Sequence, residues 1–88
     1  MSYKDNEATS EVSSLLTALK HSDWNARQKA AEELGEGRYR QAIEPLVIAL
    51  IDERFYVREA AELALQNIDS NWAQTEAAKA APKYRTKD

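Results

Sequence analysis

The sequence predicts an all-α fold in which two helical hairpins stack side by side and a fifth helix closes the stack. Three observations predict it. Glycine and proline each occur only twice among 88 residues, so few positions interrupt a helix. Apolar residues recur at the spacing of a helix face over most of the chain. The chain also matches itself when it is shifted by 31 positions, a period typical of two-helix repeats.

The composition limits the class of protein. With 43% hydrophobic and 31% charged residues, it is typical of one soluble domain. The absence of cysteine excludes a disulfide framework and a thiolate zinc site. No apolar run is long enough to span a bilayer, and the first residues lack the apolar core of a signal peptide. We therefore expect a cytoplasmic protein without a membrane partner.

The charge and the two ends of the chain give further expectations. A net charge of −3 argues against nucleic acid as a partner, because phosphate binding usually needs a basic face. The basic residues Lys83, Arg85 and Lys87 lie in residues 83–88, which we interpret as a flexible, solvated tail. Residues 1–9 are polar and aperiodic, which predicts a flexible N-terminal segment. The repeat domain should occupy residues 10–82.

The first hairpin is predicted from two capping residues. Ser10 can cap a helix that begins at Glu11. The apolar stripe of this helix comprises Val12, Leu15, Leu16 and Leu19. Asp23 can cap a second helix over residues 24–34, because its carboxylate can accept hydrogen bonds from N–H groups of the first turn. Gly35 is expected to adopt the left-handed conformation that ends this helix.

The second hairpin has the same plan. Its first helix should cover residues 41–51, with Pro45 in or just past the first turn, where a missing N–H is tolerated. The buried stripe of this helix should comprise Ile43, Leu46, Val47 and Leu50. After a turn, the second helix should cover residues 55–67. Its inner side should comprise Val57, Ala61, Ala64, Leu65 and Ile68.

A fifth helix is predicted over residues 72–80, and Pro82 should end it. Two caps are possible for this helix: Asn71, with Gln74 three residues later, or Thr75. Trp72 could bury up to ~200 Å² of apolar surface against the second hairpin. This helix is therefore the expected cover for the second repeat.

The comparison of the two repeats is informative where they differ. When the chain is shifted by 31 positions, the identical residues that align are Leu15 and Leu46, Ala18 and Ala49, Leu19 and Leu50, Arg27 and Arg58, Ala30 and Ala61, and Leu34 and Leu65. Five pairs are polar in the first repeat and apolar in the second: Thr17 and Ile48, Lys20 and Ile51, Lys29 and Ala60, Glu32 and Leu63, and Glu33 and Ala64. Either the copies have drifted, or the first repeat is a terminal cap with a solvated outer face.

The stretches AIEPLVIALIDERFYVREAAELAL and SDWNARQKAAEELG resemble HEAT repeats, of the short HEAT-like class first associated with phycobilin lyases. The resemblance covers roughly residues 12–68. It implies a right-handed α-solenoid of antiparallel helix pairs that is used for protein–protein contact.

The resemblance also implies structural roles for charged residues. In that family an aspartate caps the second helix of a repeat and is followed by valine-arginine. Asp23 and Arg27 keep the cap and the arginine, whereas the second repeat keeps Arg58 but has Arg54 at the cap position. Asp52 is then the acidic partner expected near Arg58.

An apolar stripe on the second repeat is the predicted partner-binding surface. Tyr56, Ala60, Leu63 and Asn67 share one side of the fourth helix and could remain partly exposed. Ile48 or Ile51 should lie nearby. We expect this surface to contact a protein partner, a second copy of the chain or further repeats.

The residues that could carry chemistry have simpler structural interpretations. His21 stands at a helix end and lacks the oriented partners that a catalytic base needs. The carboxylate pairs fall on polar sides or in a turn, where solvated charge is expected, and they lack the ligand count for a metal. Trp24 and Trp72 should pack between layers, and Arg27 and Arg58 should hold the turns. We expect no cofactor and no catalytic residue.

The sequence therefore predicts a non-catalytic helical-repeat scaffold that mediates protein–protein interaction. The alternative is a fragment or relative of a bilin lyase component, in which such repeats accompany chromophore attachment.

Overall fold

A computed structural model describes residues 3–80, with side chains for residues 10–79. It confirms the all-α fold: five α-helices occur in this part of the chain, and no strand does. The α-helices are α1 Tyr3–Ala18, α2 Trp24–Gly37, α3 Ile43–Ala49, α4 Phe55–Ile68 and α5 Glu76–Ala80. Short 3₁₀ turns at Arg40–Ala42 and Trp72–Gln74 precede α3 and α5. Pro82 and the tail predicted for residues 83–88 lie outside the described residues.

Helix α1 begins earlier than predicted. It starts at Tyr3, so Ser10 lies inside the helix and does not cap it, and the predicted start at Glu11 is wrong. The sequence explains the difference, because no glycine or proline interrupts residues 3–18. The flexibility predicted for residues 1–9 stays a prediction.

Helix α2 has the predicted beginning and a different end. The Asp23 side chain accepts a hydrogen bond from the Asn25 N–H at 3.1 Å, as an N-cap does. The helix continues past Gly35 to Gly37, and Arg38 adopts the left-handed conformation, with φ 55°. The prediction that Gly35 ends the helix is therefore wrong.

Gly35 instead permits close packing of two helices. It is buried within α2, and a Cβ added to it would lie 2.6 Å from the Cα of Ala64 and 2.8 Å from its Cβ. Only a residue without a side chain allows α4 to approach α2 at this distance.

Helices α2 and α4 lie side by side and run parallel. Trp24 stacks on Tyr56 near their N-terminal ends, and Gly35 contacts Ala64 near their C-terminal ends. Each of the other helices then packs mainly on one neighbour, α1 on α2, α3 on α4 and α5 on α3. The core between them contains Val12, Leu19, Ala30, Ala31, Leu34, Ala42, Ile43, Leu46, Val47, Ala60, Ala61, Ala64, Leu65, Ile68 and Ala78.

Helix α3 is shorter than predicted at both ends. Its first predicted turn is the 3₁₀ turn Arg40–Ala42, and Pro45 stands third in the helix, where its missing N–H has no helical partner to lose. After Ala49 the chain tightens, because the Leu50 N–H donates to the carbonyl of Val47, three residues back. The predicted stripe is otherwise present: Ile43, Leu46 and Val47 are buried and Leu50 is half-buried.

Helix α5 is capped by Thr75. Its Oγ1 accepts from the Ala78 N–H at 3.1 Å and donates to the Trp72 carbonyl at 2.7 Å. The helix therefore starts at Glu76, later than predicted. Trp72 is half-buried and packs against the core, and Ala78 is buried where α5 meets α3. The fifth helix thus covers α3 rather than the outer side of α4.

Two of the five polar-to-apolar differences follow from this packing. Ala64 contacts α2, and Ala60 lies one turn earlier on the same side of α4; both are buried. Their counterparts Lys29 and Glu33 are exposed; among the described helices, α2 packs mainly on α1 and α4. This arrangement agrees with the interpretation of the first repeat as a terminal cap.

Candidate functional site

The candidate site is a groove between α2 and α4, which we call the inner groove. The residues that line it are Gln28, Glu32, Glu36, Tyr56, Glu59, Ala60, Leu63, Ala64 and Asn67. On α2 they recur every fourth residue, and on α4 they recur at intervals of three or four. Both spacings place side chains along one face of a helix. The groove is therefore the seam left open between two parallel helices.

Two large apolar side chains are exposed in the inner groove. Leu63 is 61% exposed and Tyr56 is 52% exposed. Ala60 was predicted to be part of the exposed stripe, but it is only 6% exposed, because α4 packs closely on α2 at this point. It lines the bottom of the groove and presents little surface to a partner.

Acidic side chains border these apolar residues. Glu32 and Glu36 on α2 and Glu59 on α4 are exposed, and all three line the groove. The Gln28 side chain donates to Glu32 at 3.1 Å and orients that carboxylate. Among the described lining residues none is basic, so the groove combines an apolar strip with negative charge.

Ile48 and Ile51 are not among the residues that line the inner groove. Both are exposed, but Ile48 lines a separate groove, which we call the outer groove. The outer groove is lined by Leu19, Lys20, Gln41, Glu44, Pro45, Ile48, Ala49 and Asp52 and shares no residue with the inner groove. Ile48 was expected near Leu63 but lines a different groove, and whether Ile48 or Ile51 contacts a partner stays a prediction.

An aromatic cluster stands at one end of the inner groove. Trp24 and Tyr56 stack with ring centroids 5.5 Å apart, and the Arg54 guanidinium lies 4.5 Å from the Trp24 ring centroid. Phe55 meets Tyr56 edge-on at 5.7 Å. The stack joins the first turns of α2 and α4 and holds the Tyr56 ring in place.

An ion pair connects the two repeats. Arg27 Nε donates to Asp52 Oδ2 at 2.8 Å, and Nη2 donates to Oδ1 at 3.0 Å. Arg58 instead donates to the Asp52 backbone carbonyl at 2.7 Å. Asp52 therefore lies next to Arg58, as expected, but its carboxylate pairs with Arg27.

The environment of Asp52 sets its protonation. Burial raises the pKa of its carboxyl, but hydrogen bonds from the Arg27 side chain and the Arg54 N–H, with the charges of Arg27 and Arg58, lower it further than burial raises it. The pKa of Asp52 therefore lies below its ordinary value of 3.8. Asp52 lies in the turn before α4 and does not line the inner groove, so these interactions help to position α4.

The residues considered for chemistry occupy structural positions. His21 is exposed, and its Nδ1 accepts from the Asp23 N–H at 3.0 Å, so its ring stabilises a turn. Within the described residues, no group of three or more acidic or histidine side chains could hold a metal ion. No helix among residues 3–80 has the length and apolarity needed to cross a membrane.

Comparison with known proteins identifies the repeat. The family model described as HEAT repeats matches residues 10–85, which is most of the chain. No curated protein matches the sequence, and no solved structure matches it. HEAT repeats generally serve as protein-interaction scaffolds. The family model covers most of the chain and agrees with the two stacked helical hairpins, so the chain belongs to the HEAT-repeat family.

Proposed function

We propose that the protein is a non-catalytic scaffold that binds a protein partner through the inner groove. The observation that carries the proposal is the exposure of both Leu63 and Tyr56 in one groove between two packed helices. Large exposed apolar side chains grouped on a soluble protein often mark a contact site.

Packing within the described chain does not explain why a leucine occupies position 63. Ala60 and Ala64 replace the polar residues of the first repeat because α2 covers them. Leu63 replaces Glu32 at a position where nothing in the described chain covers it. An exposed leucine here stabilises the fold little, so a function in contact is the better explanation.

The size of the inner groove favours protein side chains over a small ligand. Its volume is about 210 Å³, whereas pockets for small molecules usually enclose about 300–1,000 Å³. The groove is open along both helices. A partner surface can insert a few side chains there and contact the acidic residues that border the groove.

The test compares two substitutions that add the same charge on the same helix. Leu63→Lys places the charge in the inner groove, and Gln66→Lys places it on an exposed position outside the groove. Each variant and the wild type are immobilised, and the proteins retained from an extract of the native host are identified by mass spectrometry. Circular dichroism checks that all three are equally helical.

The expected result is a specific set of partners that is lost with Leu63→Lys and kept with Gln66→Lys. Equal retention by both variants would overturn the proposal. Light scattering over a range of concentrations is the second measurement: a dimer that Leu63→Lys dissociates would assign the groove to another copy of the chain.

No observation favours a bilin lyase component over the scaffold. A titration with an open-chain tetrapyrrole, followed by absorbance, distinguishes the two functions, because the scaffold predicts no spectral change.

A further inference from the structure

We propose that the segment that the inner groove binds is a basic amphipathic helix of the partner protein. This inference rests on the proposed function and adds the chemistry of the partner. Three features carry it: the parallel helices that form the groove, the spacing of its apolar residues and the sign of its charges.

The shape of the inner groove fits a third helix. Helices α2 and α4 run parallel and are in close contact from Trp24 and Tyr56 to Gly35 and Ala64. The furrow between two such helices accepts the ridge of side chains on another helix. Both walls are helical, so no strand edge is available there to pair with an extended peptide.

The spacing of the apolar residues matches two turns of a helix. Tyr56 and Leu63 are seven residues apart on α4, which is about 10 Å along the helix axis. A partner helix that lies along the groove therefore presents apolar side chains at positions i and i+7, with a further one at i+3 or i+4 between them. Above Ala60 and Ala64, whose side chains are short, there is room for the middle residue.

The charges of the inner groove select a basic segment. Glu32, Glu36 and Glu59 are all exposed along its two walls, and none of the described lining residues is positively charged. Arg54 and Arg58, which lie over the Trp24 and Phe55 rings of the aromatic cluster, do not line the groove. Lysine or arginine residues that flank the partner's apolar stripe would meet three carboxylates, whereas glutamates there would be repelled.

The experiment uses three labelled helical peptides of about 20 residues. They share one leucine stripe at i, i+3 or i+4, and i+7, and they differ only in the flanking residues, which are lysine, glutamine or glutamate. Fluorescence anisotropy measures their dissociation constants with the full chain. We expect the lysine peptide to bind about tenfold more tightly than the glutamine peptide, to lose affinity as sodium chloride increases, and the glutamate peptide not to bind.

Paired variants show whether the groove is responsible. Glu32→Gln with Glu36→Gln removes two charges from the groove, and Glu33→Gln with Glu62→Gln removes two exposed charges from outside it. The first pair should reduce the preference for the lysine peptide, because only Glu59 remains charged in the groove, and the second pair should leave the preference unchanged. Leu63→Lys should abolish binding of both the lysine and the glutamine peptide.

The outcomes separate this inference from the proposed function. Equal binding of the lysine and glutamine peptides, sensitive to Leu63→Lys, would overturn the charge selection and leave the groove as a protein-binding site. The inference would be overturned if Leu63→Lys did not change the affinity for the peptides, or if no peptide bound. The comparison of proteins retained from the host extract would then test the proposed function on its own.

Discussion

Arg27 on α2 binds Asp52 in the turn before α4 through two hydrogen bonds of 2.8 and 3.0 Å. The remaining guanidinium nitrogen of Arg27 donates to the carbonyls of His21 and Ser22 at 2.8 and 3.1 Å. Asp52 Oδ1 also accepts from the Arg54 N–H at 2.9 Å. One pair of side chains therefore connects the turn of the first repeat to the turn of the second.

Arg27→Ala should destabilise the fold. The two side chains of the pair are each only 12% exposed, so the substitution leaves a poorly hydrated carboxylate without its partner and two carbonyls without a donor. We expect a loss of about 2 kcal/mol in the free energy of unfolding. Urea denaturation followed by circular dichroism measures it. The matched control is Arg40→Ala, because Arg40 pairs with Asp69 from a side chain that is 62% exposed; an equal loss in the two variants would contradict the assigned role of Arg27.

The stabilising contribution of Asp52 should be lost in acid. Because the pKa of Asp52 is depressed in the folded state, its contribution is fully present above its ordinary value of 3.8 and is lost as the pH falls through the lower folded value. The difference in unfolding free energy between wild type and Asp52→Asn should therefore shrink from about pH 5 to about pH 2. Urea denaturation at several pH values checks this. A difference that stays constant over that range would contradict the ion pair.

Gly35→Ala should weaken the α2–α4 contact. The new Cβ would meet the backbone Cα of Ala64, which cannot rotate away, so the helices must separate. Alanine improves helix propensity by about 1 kcal/mol, but we expect the clash to outweigh this gain and to cause a net loss of about 1–3 kcal/mol. Glu33→Ala, on an exposed position of the same helix, is the control. A stabilised Gly35→Ala protein would show that the helices are not this close.

Thr75→Ala should release the start of α5. It removes the acceptor of the Ala78 N–H bond, and a lost cap usually costs about 1 kcal/mol. Amide hydrogen exchange at Ala78 should be about fivefold faster, because exchange there follows local opening. Thr75→Ser keeps the hydroxyl and should exchange like the wild type. Faster exchange in both variants would indicate that the methyl group, rather than the cap, holds the helix.

The helices and their buried sides were predictable because they depend on local patterns. Apolar residues spaced for one face of a helix identified α2, α3 and α4, and the capping carboxylate of Asp23 marked the start of α2 to the residue. The internal match of the sequence then identified equivalent hairpins. The stripes and the cap lie within one helix or one turn, and the repeat follows from comparing the sequence with itself, so no knowledge of the tertiary arrangement was needed.

Gly35 shows where local patterns fail. A glycine at the end of an apolar stripe can end a helix or permit a neighbour to approach, and the sequence is the same in both cases. Contact with Ala64, 29 positions later, decides between them. The signal that could have been used was Gly37, a second glycine two residues on and nearer the true end of α2.

The same reason explains what the sequence did not show about the candidate site. The partner of Asp52 depends on the offset between hairpins, which places Arg27 nearer to its carboxylate than Arg58. The exposure of Leu63 followed from its side of α4, but the separation of Ile48 from it depends on how α3 crosses α4. Relative orientations of helices are determined by packing, which a single sequence does not display.

The α2–α4 junction also has a consequence for self-assembly. On α4, the positions equivalent to Ala31 and Gly35 are occupied by Glu62 and Gln66, which are exposed. On α2, the positions equivalent to Ala60 and Ala64 are occupied by Lys29 and Glu33, which are also exposed. A second molecule that tried to extend the row by copying this junction would bring charged and polar groups where alanine and glycine are required. Head-to-tail contacts that do not close into a ring produce open fibres. The charged and polar residues on these two flanks therefore disfavour a head-to-tail contact that would repeat the α2–α4 junction between molecules.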